Sequence, residues 1–137
     1  TPCEHSFPTR RSSDLYYSPE CIQKIVKIAA GNGVKHLIVG QHGIFSTPAV
    51  SNCIRERKAT GGILLTASHN AGGPKNDFGI KYNMENGGPA PEGVTDKVYE
   101  ISKTLKSYKV IDVAEVRLVS SKRVGRIFSK LMLARSG

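Results

Sequence analysis

Apolar residues recur with helical spacing in three segments of the chain. The first, "SPECIQKIVKIAAGNG", offers Ser18 as an N-cap, Pro19 in the first turn and Gly31 after the last turn. Two further helices are predicted, one starting at Thr47 and one capped by Thr95. The predicted core faces are Ile22, Ile25, Val26 and Ala29 in the first helix, Val50, Cys53 and Ile54 in the second, and Val98, Ile101 and Leu105 in the third.

Three shorter segments have the pattern of strands. "KHLIVG" and "GGILLT" are apolar runs of the length of a buried strand, and "FGIKYN" alternates as a strand exposed on one side would. The glycines of "GQHGIFS" predict a loop directly after the first of these strands. Helices and strands that alternate at this spacing predict a layered α/β domain.

The cysteine content and the length of the apolar runs bear on the cellular compartment of this domain. The three cysteines among 137 residues are odd in number, widely spaced and without a CxxC, which argues against a disulfide framework or a zinc knuckle. A reducing, cytoplasmic location fits best. No apolar run approaches the roughly 18 residues that span a bilayer, so we expect no membrane partner.

The net charge of +9 is concentrated at one end of the chain. Residues 117–137 hold six basic side chains and no acidic one, whereas residues 16–101 hold nine basic and seven acidic ones. The latter segment also lacks the clustered arginines and stacking aromatics of a nucleic-acid groove. We therefore expect no nucleic-acid partner.

Candidate catalytic and binding residues follow the second buried strand, in "TASHNAGGPKNDFGIK". Open α/β folds bind ligands at the carboxyl edge of the sheet, which makes Ser68 a candidate nucleophile. His69 is then a candidate proton carrier or phosphate donor, and Lys81 a cation facing the same pocket. The residues alone leave a second interpretation open, a polar turn in which Ser68 and Asn70 bond to local backbone and His69 is merely solvated.

A longer stretch, "TASHNAGGPKNDFGIKYNMENGGPAPE", closely resembles the active-site serine loop of phosphoglucomutases in the α-D-phosphohexomutase superfamily. "VGQHGIFSTPAVS" resembles the segment before that loop, and "NGGPAPE" followed by "TDKVYEISKTLKSY" resembles the phosphoglucomutase branch. The resemblance runs from about Tyr16 to about Val110. It implies a truncated first domain of the family, an α/β/α layered domain with a mixed sheet. The strands at 37–39 and 63–65 are predicted to be central, with "FGIKYN" beside them.

The resemblance also implies an activity, the interconversion of glucose 1-phosphate and glucose 6-phosphate. The residue matching Ser68 is carried as a phosphoserine, and glucose 1,6-bisphosphate is the intermediate and activator. His69 matches a catalytic position, and Lys81 a substrate-binding one. The implied partner is a phosphorylated hexose.

Magnesium is the cofactor that the resemblance implies, bridging the phosphate on Ser68 to three aspartates of a DGDGDR-type loop. No such loop is present, since the four aspartates do not have that spacing, and the sugar-selecting and distal phosphate-binding loops are also missing. We therefore expect the remaining domains of the enzyme to be missing and the chain alone to be inactive.

Two positions depart from the family pattern. Ala71 stands where a proline is usual, which loosens one φ angle of the loop without removing a reacting group. His42 stands where an asparagine is common, and we interpret it as a partly exposed loop histidine rather than a catalytic one.

Both ends of the chain are expected to lie outside the domain at 16–116. "HSFPTRRSSDL" at 5–15 resembles the translation of a sequencing-library adapter, so residues 1–15 are interpreted as an artefact. Residues 117–137 are a basic tail of doubtful origin, most of which we expect to pack poorly. A competing interpretation makes this tail a basic amphipathic helix for a membrane surface or calmodulin, with the apolar side Ile127, Phe128, Leu131 and Met132.

A second hypothesis for function comes from a different class. The chain would belong to a non-catalytic phosphoglucomutase-like protein that binds cytoskeletal or adhesion partners. Degenerate metal and sugar loops in a longer transcript would favour this hypothesis, whereas the intact pair of Ser68 and His69 favours the enzyme.

Overall fold

The computed structural model describes residues 16–68, 70, 73–116 and 130–135. In chain order these residues form α1 (Ser18–Gly31), β1 (His36–Ile44), α2 (Thr47–Arg57), β2 (Gly61–Thr66), β3 (Gly79–Met84), α3 (Glu92–Thr104) and β4 (Lys130–Arg135). The interpretation of residues 1–15 as an artefact falls outside the described residues.

The four strands form one mixed sheet in the order β1, β4, β2, β3. β4 runs parallel to both β1 and β2, with Leu131 opposite Leu37 on one side and Gly61 on the other. β3 is antiparallel to β2 and places Tyr82 opposite Ile63. The mixed sheet and the position of "FGIKYN" beside the second strand are thus confirmed.

The position of β4 corrects what was expected of β1 and of the basic tail. It separates β1 from β2, so β1 is an outer strand of the described sheet rather than a central one. It also takes residues 130–135 out of the tail that was expected to pack poorly, and it excludes a helix through Leu131 and Met132. The strand forms because "LMLA" is an apolar run of the length of a short strand, although every charged residue of the tail is basic.

Helices cover both faces of the sheet. Leu65 is fully buried on one face, where it belongs to the cluster that contains Ile22 and Val26 of α1. Leu64 points to the other face and packs in the cluster that contains Val50 and Ile54 of α2. Because neighbouring residues of a strand point to opposite faces, α1 and α2 form separate outer layers, and the predicted α/β/α arrangement is confirmed. Each fully buried aliphatic side chain contributes about 1.5–3 kcal/mol.

The first helix and strand differ slightly from prediction. Tyr17 is the N-cap of α1, and Ser18 is the first helical residue, with its hydroxyl buried and without a hydrogen-bond partner among the described residues. β1 continues to Ile44 where a loop was expected, through a register irregularity. Gly40 permits this path, since a Cβ there would lie 2.5 Å from the carbonyl oxygen of Ile44.

The third helix differs more. α3 begins at Glu92, so Thr95 lies inside the helix, where its hydroxyl donates to the Glu92 carbonyl oxygen rather than capping the helix. No residue of α3 is buried among the described residues, and its predicted core face is exposed. The exposed fractions are 61% for Val98, 50% for Ile101 and 61% for Leu105. The amphipathic pattern was interpreted correctly as a helix, but no described element covers its apolar face.

A segment without regular secondary structure, residues 109–116, runs along α1. At one end Asn32 Nδ2 donates to the Lys109 carbonyl oxygen over 3.0 Å. At the other end the Gln23 side chain bonds to both backbone groups of Val116, donating to its carbonyl over 2.8 Å and accepting from its N–H over 2.9 Å. We call this segment the α1 strap.

Candidate active site

Two paired strands position the predicted nucleophile and cation. Thr66, the last residue of β2, lies opposite Gly79, the first residue of β3. Ser68 follows β2 directly at its carboxyl end and is exposed. Lys81 lies in β3, opposite Leu64, and its side chain is also exposed. The predicted location of Ser68, at the carboxyl end of a strand and open to solvent, is confirmed.

The structure brings Ser68 and Lys81 into direct contact. Lys81 Nζ donates a hydrogen bond to Ser68 Oγ over 2.7 Å. An ammonium group at this distance stabilises negative charge that develops on the serine oxygen or on a group attached to it. Because the pair is exposed, water and salt weaken its contribution to folding stability.

The segment between β2 and β3, residues 67–78, is here called the serine loop. Ser68 has a positive φ of 58°, which is uncommon for a residue other than glycine. Its N–H donates to Thr66 Oγ1 over 2.9 Å, and the next turn is closed by the Asn70 N–H, which donates to the Ala67 carbonyl over 3.0 Å. Short hydrogen bonds of this type define a local turn.

The far end of the serine loop has its own attachments, which sequence reasoning missed. Asn70 Nδ2 donates to Asp77 Oδ2, which joins the two arms of the loop. Phe78 packs against the core under α1, and its ring meets that of Tyr17 edge to face, with 6.3 Å between centroids. An Asn and an Asp at the two ends of a glycine-rich segment were the available signal for the first contact. No sequence pattern identified Tyr17.

Other predicted positions cannot be placed in the site. His69 and Ala71 lie outside the described residues, so the role of His69 and the effect of Ala71 stay predictions. His42 belongs to β1 rather than to the expected loop, and only its backbone is described.

Of the two cysteines in the described residues, Cys21 is buried in the core. Cys21 and Cys53 are both free. Burial raises the pKa of the Cys21 thiol, and nearby Lys24 only partly opposes this effect. A thiol that is harder to ionise is a core residue rather than a nucleophile.

The described residues do not fit a magnesium site. Within them, no group of three or more His, Cys, Asp or Glu side chains is arranged to hold a metal ion. The oxygen of Ser68 instead faces an ammonium group, and the carboxylate of Asp77 accepts from Asn70. Mg²⁺ is held by oxygen ligands, usually one or two carboxylates with substrate phosphates, so these residues alone do not supply its ligands.

The sequence of this domain matches one protein family over most of its length. Residues 15–109 match the family model for phosphoglucomutase/phosphomannomutase, alpha/beta/alpha domain I. The chain belongs to this family. The matched residues include the whole serine loop and the strands on either side of it.

Individual relatives agree with this assignment. The chain is 72% identical over 101 residues to the phosphoglucomutase of Emericella nidulans, covering 74% of this chain and 18% of that protein. It is 60% identical over 111 residues to "Phosphoglucomutase, cytoplasmic" of Populus tremula, covering 77% and 19%. The crystal structure of the Paramecium phosphoprotein pp63/parafusin, a phosphoglucomutase, superposes with a TM-score of 0.74 at 33% identity, covering 89% of this chain and 24% of that one.

The chain spans about a fifth of the length of the curated relatives it matches. In the described residues of domain I, no helix has the length and apolar character needed to cross a membrane.

Proposed function

We propose that the protein to which this domain I belongs interconverts glucose 1-phosphate and glucose 6-phosphate, with Ser68 as the carrier of the phosphoryl group. The observation that carries the proposal is the exposed Ser68 hydroxyl at the end of β2 with Lys81 Nζ 2.7 Å from its oxygen. The names of the relatives support this substrate class, since they are phosphoglucomutases.

The reaction requires a temporary phosphoryl acceptor. In the first step a sugar hydroxyl attacks the phosphorus of phospho-Ser68, the bond between phosphorus and Ser68 Oγ breaks, and a proton passes from the sugar hydroxyl to Ser68 Oγ. The product is glucose 1,6-bisphosphate, which turns around in the site. In the second step Ser68 Oγ attacks the phosphorus of the other phosphoryl group, the bond between that phosphorus and the sugar oxygen breaks, and the serine proton passes to the sugar oxygen. The enzyme thereby recovers its phosphate, and the isomeric monophosphate leaves.

Lys81 acts on the serine oxygen in both steps. When the phosphoryl group leaves, negative charge develops on Ser68 Oγ, and the ammonium group already lies within hydrogen-bond distance of that atom. When the phosphoryl group is attached, the same ammonium group neutralises part of the phosphate charge and helps to hold the phosphorylated sugar.

Further parts of the reaction come from the family resemblance. His69 would move the proton between the sugar hydroxyl and the serine oxygen. The described residues do not by themselves hold magnesium, and no step above depends on it; binding of magnesium by the phosphate on Ser68 would require carboxylates from elsewhere. A cytoplasmic location is supported by the name of the Populus tremula relative.

The test is a chimera in which residues 15–109 of this chain replace the matching segment of the Emericella nidulans phosphoglucomutase. We expect the chimera to convert glucose 1-phosphate to glucose 6-phosphate and to carry phosphate on Ser68, as mapped by mass spectrometry. Ser68→Ala should abolish both properties. Ser102→Ala is the matched control, because Ser102 is an exposed serine of α3 whose hydroxyl donates to the Tyr99 carbonyl oxygen.

An inactive chimera beside an active parent enzyme would refute the proposal, as would an active one whose phosphate maps to another residue. The non-catalytic binding module gains no support from the relatives, which are named phosphoglucomutases.

A further inference from the structure

We propose that Thr66 is a positioning residue for the phosphoryl-carrying serine, holding the Ser68 backbone in the conformation that brings its hydroxyl to Lys81. This inference rests on the proposed function of Ser68. Thr66 itself contacts neither the sugar nor the phosphoryl group in this proposal.

The conformation of Ser68 requires a stabilising contact. Among the described residues, two that are not glycine have a positive φ, Lys58 at 49° and Ser68 at 58°. Lys58 ends α2, and its N–H bonds to carbonyl oxygens of the last turn, which is a common arrangement for a helix terminus. Ser68 follows a strand instead, so a left-handed conformation there persists only if the surroundings impose it.

The hydroxyl of Thr66 supplies that contact. Thr66 Oγ1 accepts the Ser68 N–H over 2.9 Å. Thr66 is only 7% exposed, and its β-branched side chain has few rotamers available, so the oxygen has a defined position. The backbone of Thr66 is equally well fixed, because β3 packs so closely that a Cβ on Gly79 would lie 2.7 Å from the Thr66 carbonyl oxygen.

The consequence is a defined position for the reacting oxygen. With its N–H fixed to Thr66, Ser68 directs Oγ towards Lys81 Nζ at 2.7 Å. Without the threonine hydroxyl, the Ser68 backbone is free to relax to a negative φ, and this rotation moves Oγ away from the ammonium group. A displacement of about 1 Å at a reacting atom costs up to roughly 100-fold in rate.

The hydrogen bond itself is tested in the 137-residue chain by amide hydrogen exchange, residue by residue. We expect the Ser68 amide to be protected in the native chain and in Thr66→Ser, which keeps the hydroxyl. In Thr66→Val, which keeps the shape, the Ser68 amide should lose its protection while the Leu64 and Leu65 amides of β2 keep theirs. Unchanged protection of Ser68 in Thr66→Val would overturn the proposal. If Thr66→Val also removes the protection of the Leu64 and Leu65 amides, the measurement on the native chain is decisive. An unprotected Ser68 amide in the native chain would overturn the proposal.

The effect on the reaction is tested in the chimera. Thr66→Val should lower kcat roughly 10- to 100-fold and leave KM for glucose 1-phosphate unchanged, because positioning of the nucleophile affects the chemical step. Thr66→Ser should restore most of the turnover, and the control Thr95→Val in exposed α3 should leave it unchanged. Equal losses in Thr66→Ser and Thr66→Val would show that the hydroxyl is not responsible. An inactive parent chimera would refute the proposed function, whereas the exchange measurement judges the hydrogen bond separately.

Discussion

β2 and the serine loop are adjacent in sequence but are held in place by different interactions. Leu64 and Leu65 of β2 are 3% and 0% exposed and pack against helices on opposite faces of the sheet. Ser68 and Asn70 are exposed and are held by a few hydrogen bonds to side chains and local backbone. Apolar packing therefore determines whether the domain folds, whereas a small number of polar contacts determines where the Ser68 hydroxyl lies.

If folding and the position of the Ser68 hydroxyl depend on different interactions, the largest expected effect is on the activity of the isolated 137-residue chain. It should fold and still show no conversion of glucose 1-phosphate. Loss of one electrostatic partner costs about 10²–10³ in rate. Among the described residues, no group of three or more His, Cys, Asp or Glu side chains is arranged to hold a metal ion. Circular dichroism and a coupled assay for glucose 6-phosphate measure the two properties. Turnover by the chain alone would show that the serine loop is sufficient for chemistry.

Leu65→Ala should weaken the apolar packing of β2. Leu65 is fully buried beneath α1, and truncation of such a side chain lowers the free energy of unfolding by about 2–5 kcal/mol. Urea denaturation of the chain measures the change. Val98→Ala in exposed α3 is the control and should change stability by less than about 0.5 kcal/mol. Equal losses in the two variants would mean that α3 is packed as tightly as β2.

Lys81→Met should separate chemistry from stability. The variant keeps most of the side-chain length but loses the ammonium group beside Ser68 Oγ. We expect kcat of the chimera to fall about 10²- to 10³-fold, as for the loss of one charge-stabilising donor. The urea midpoint of the chain should stay nearly unchanged, since the contact is exposed. A large loss of stability with normal kcat would reverse the assignment of this contact to chemistry.

The smallest expected effect concerns pH and the core under α1. Burial raises the pKa of Cys21 above the ordinary value of 9.0, so the folded chain holds the thiol proton more tightly than the unfolded chain does. This contribution to stability is present below pH 9.0 and is lost as the pH rises through the folded-state pKa. Urea denaturation between pH 8 and 10.5 should show a shallower decline in Cys21→Ala than in the native chain. Equal declines in stability for the two proteins would mean that the Cys21 thiol does not contribute to the pH dependence.

The difference between apolar packing and polar contacts also explains which helices and strands could be predicted from the sequence. Apolar periodicity located α1, α2, β2 and β3 because burial of one face leaves a regular pattern. It missed β4, since its short apolar run lies in a strongly basic segment and its partners are distant in sequence. It identified α3 as a helix but assigned it a buried face, because periodicity shows that an apolar face exists and not what covers it.

The site was predictable to a similar degree. Strand ends and the family resemblance located Ser68 and Lys81 at one edge of the sheet. The bond from the Ser68 N–H to Thr66 could not be predicted, because it depends on a positive φ that serine rarely adopts. The contact between Tyr17 and Phe78 depends on how α1 is placed over the sheet, which no local pattern specifies.

The α1 strap has a consequence for the order in which the chain acquires its structure. Gln23 and Val116 are separated by 93 positions, so their paired hydrogen bonds cannot form until nearly the whole domain has left the ribosome. While residues 32–115 are being made, α1 therefore lacks its contact with Val116 at the end of the strap. Long-range closure of this kind slows folding, and we expect the strap to dock late, after α1 has already settled on the sheet.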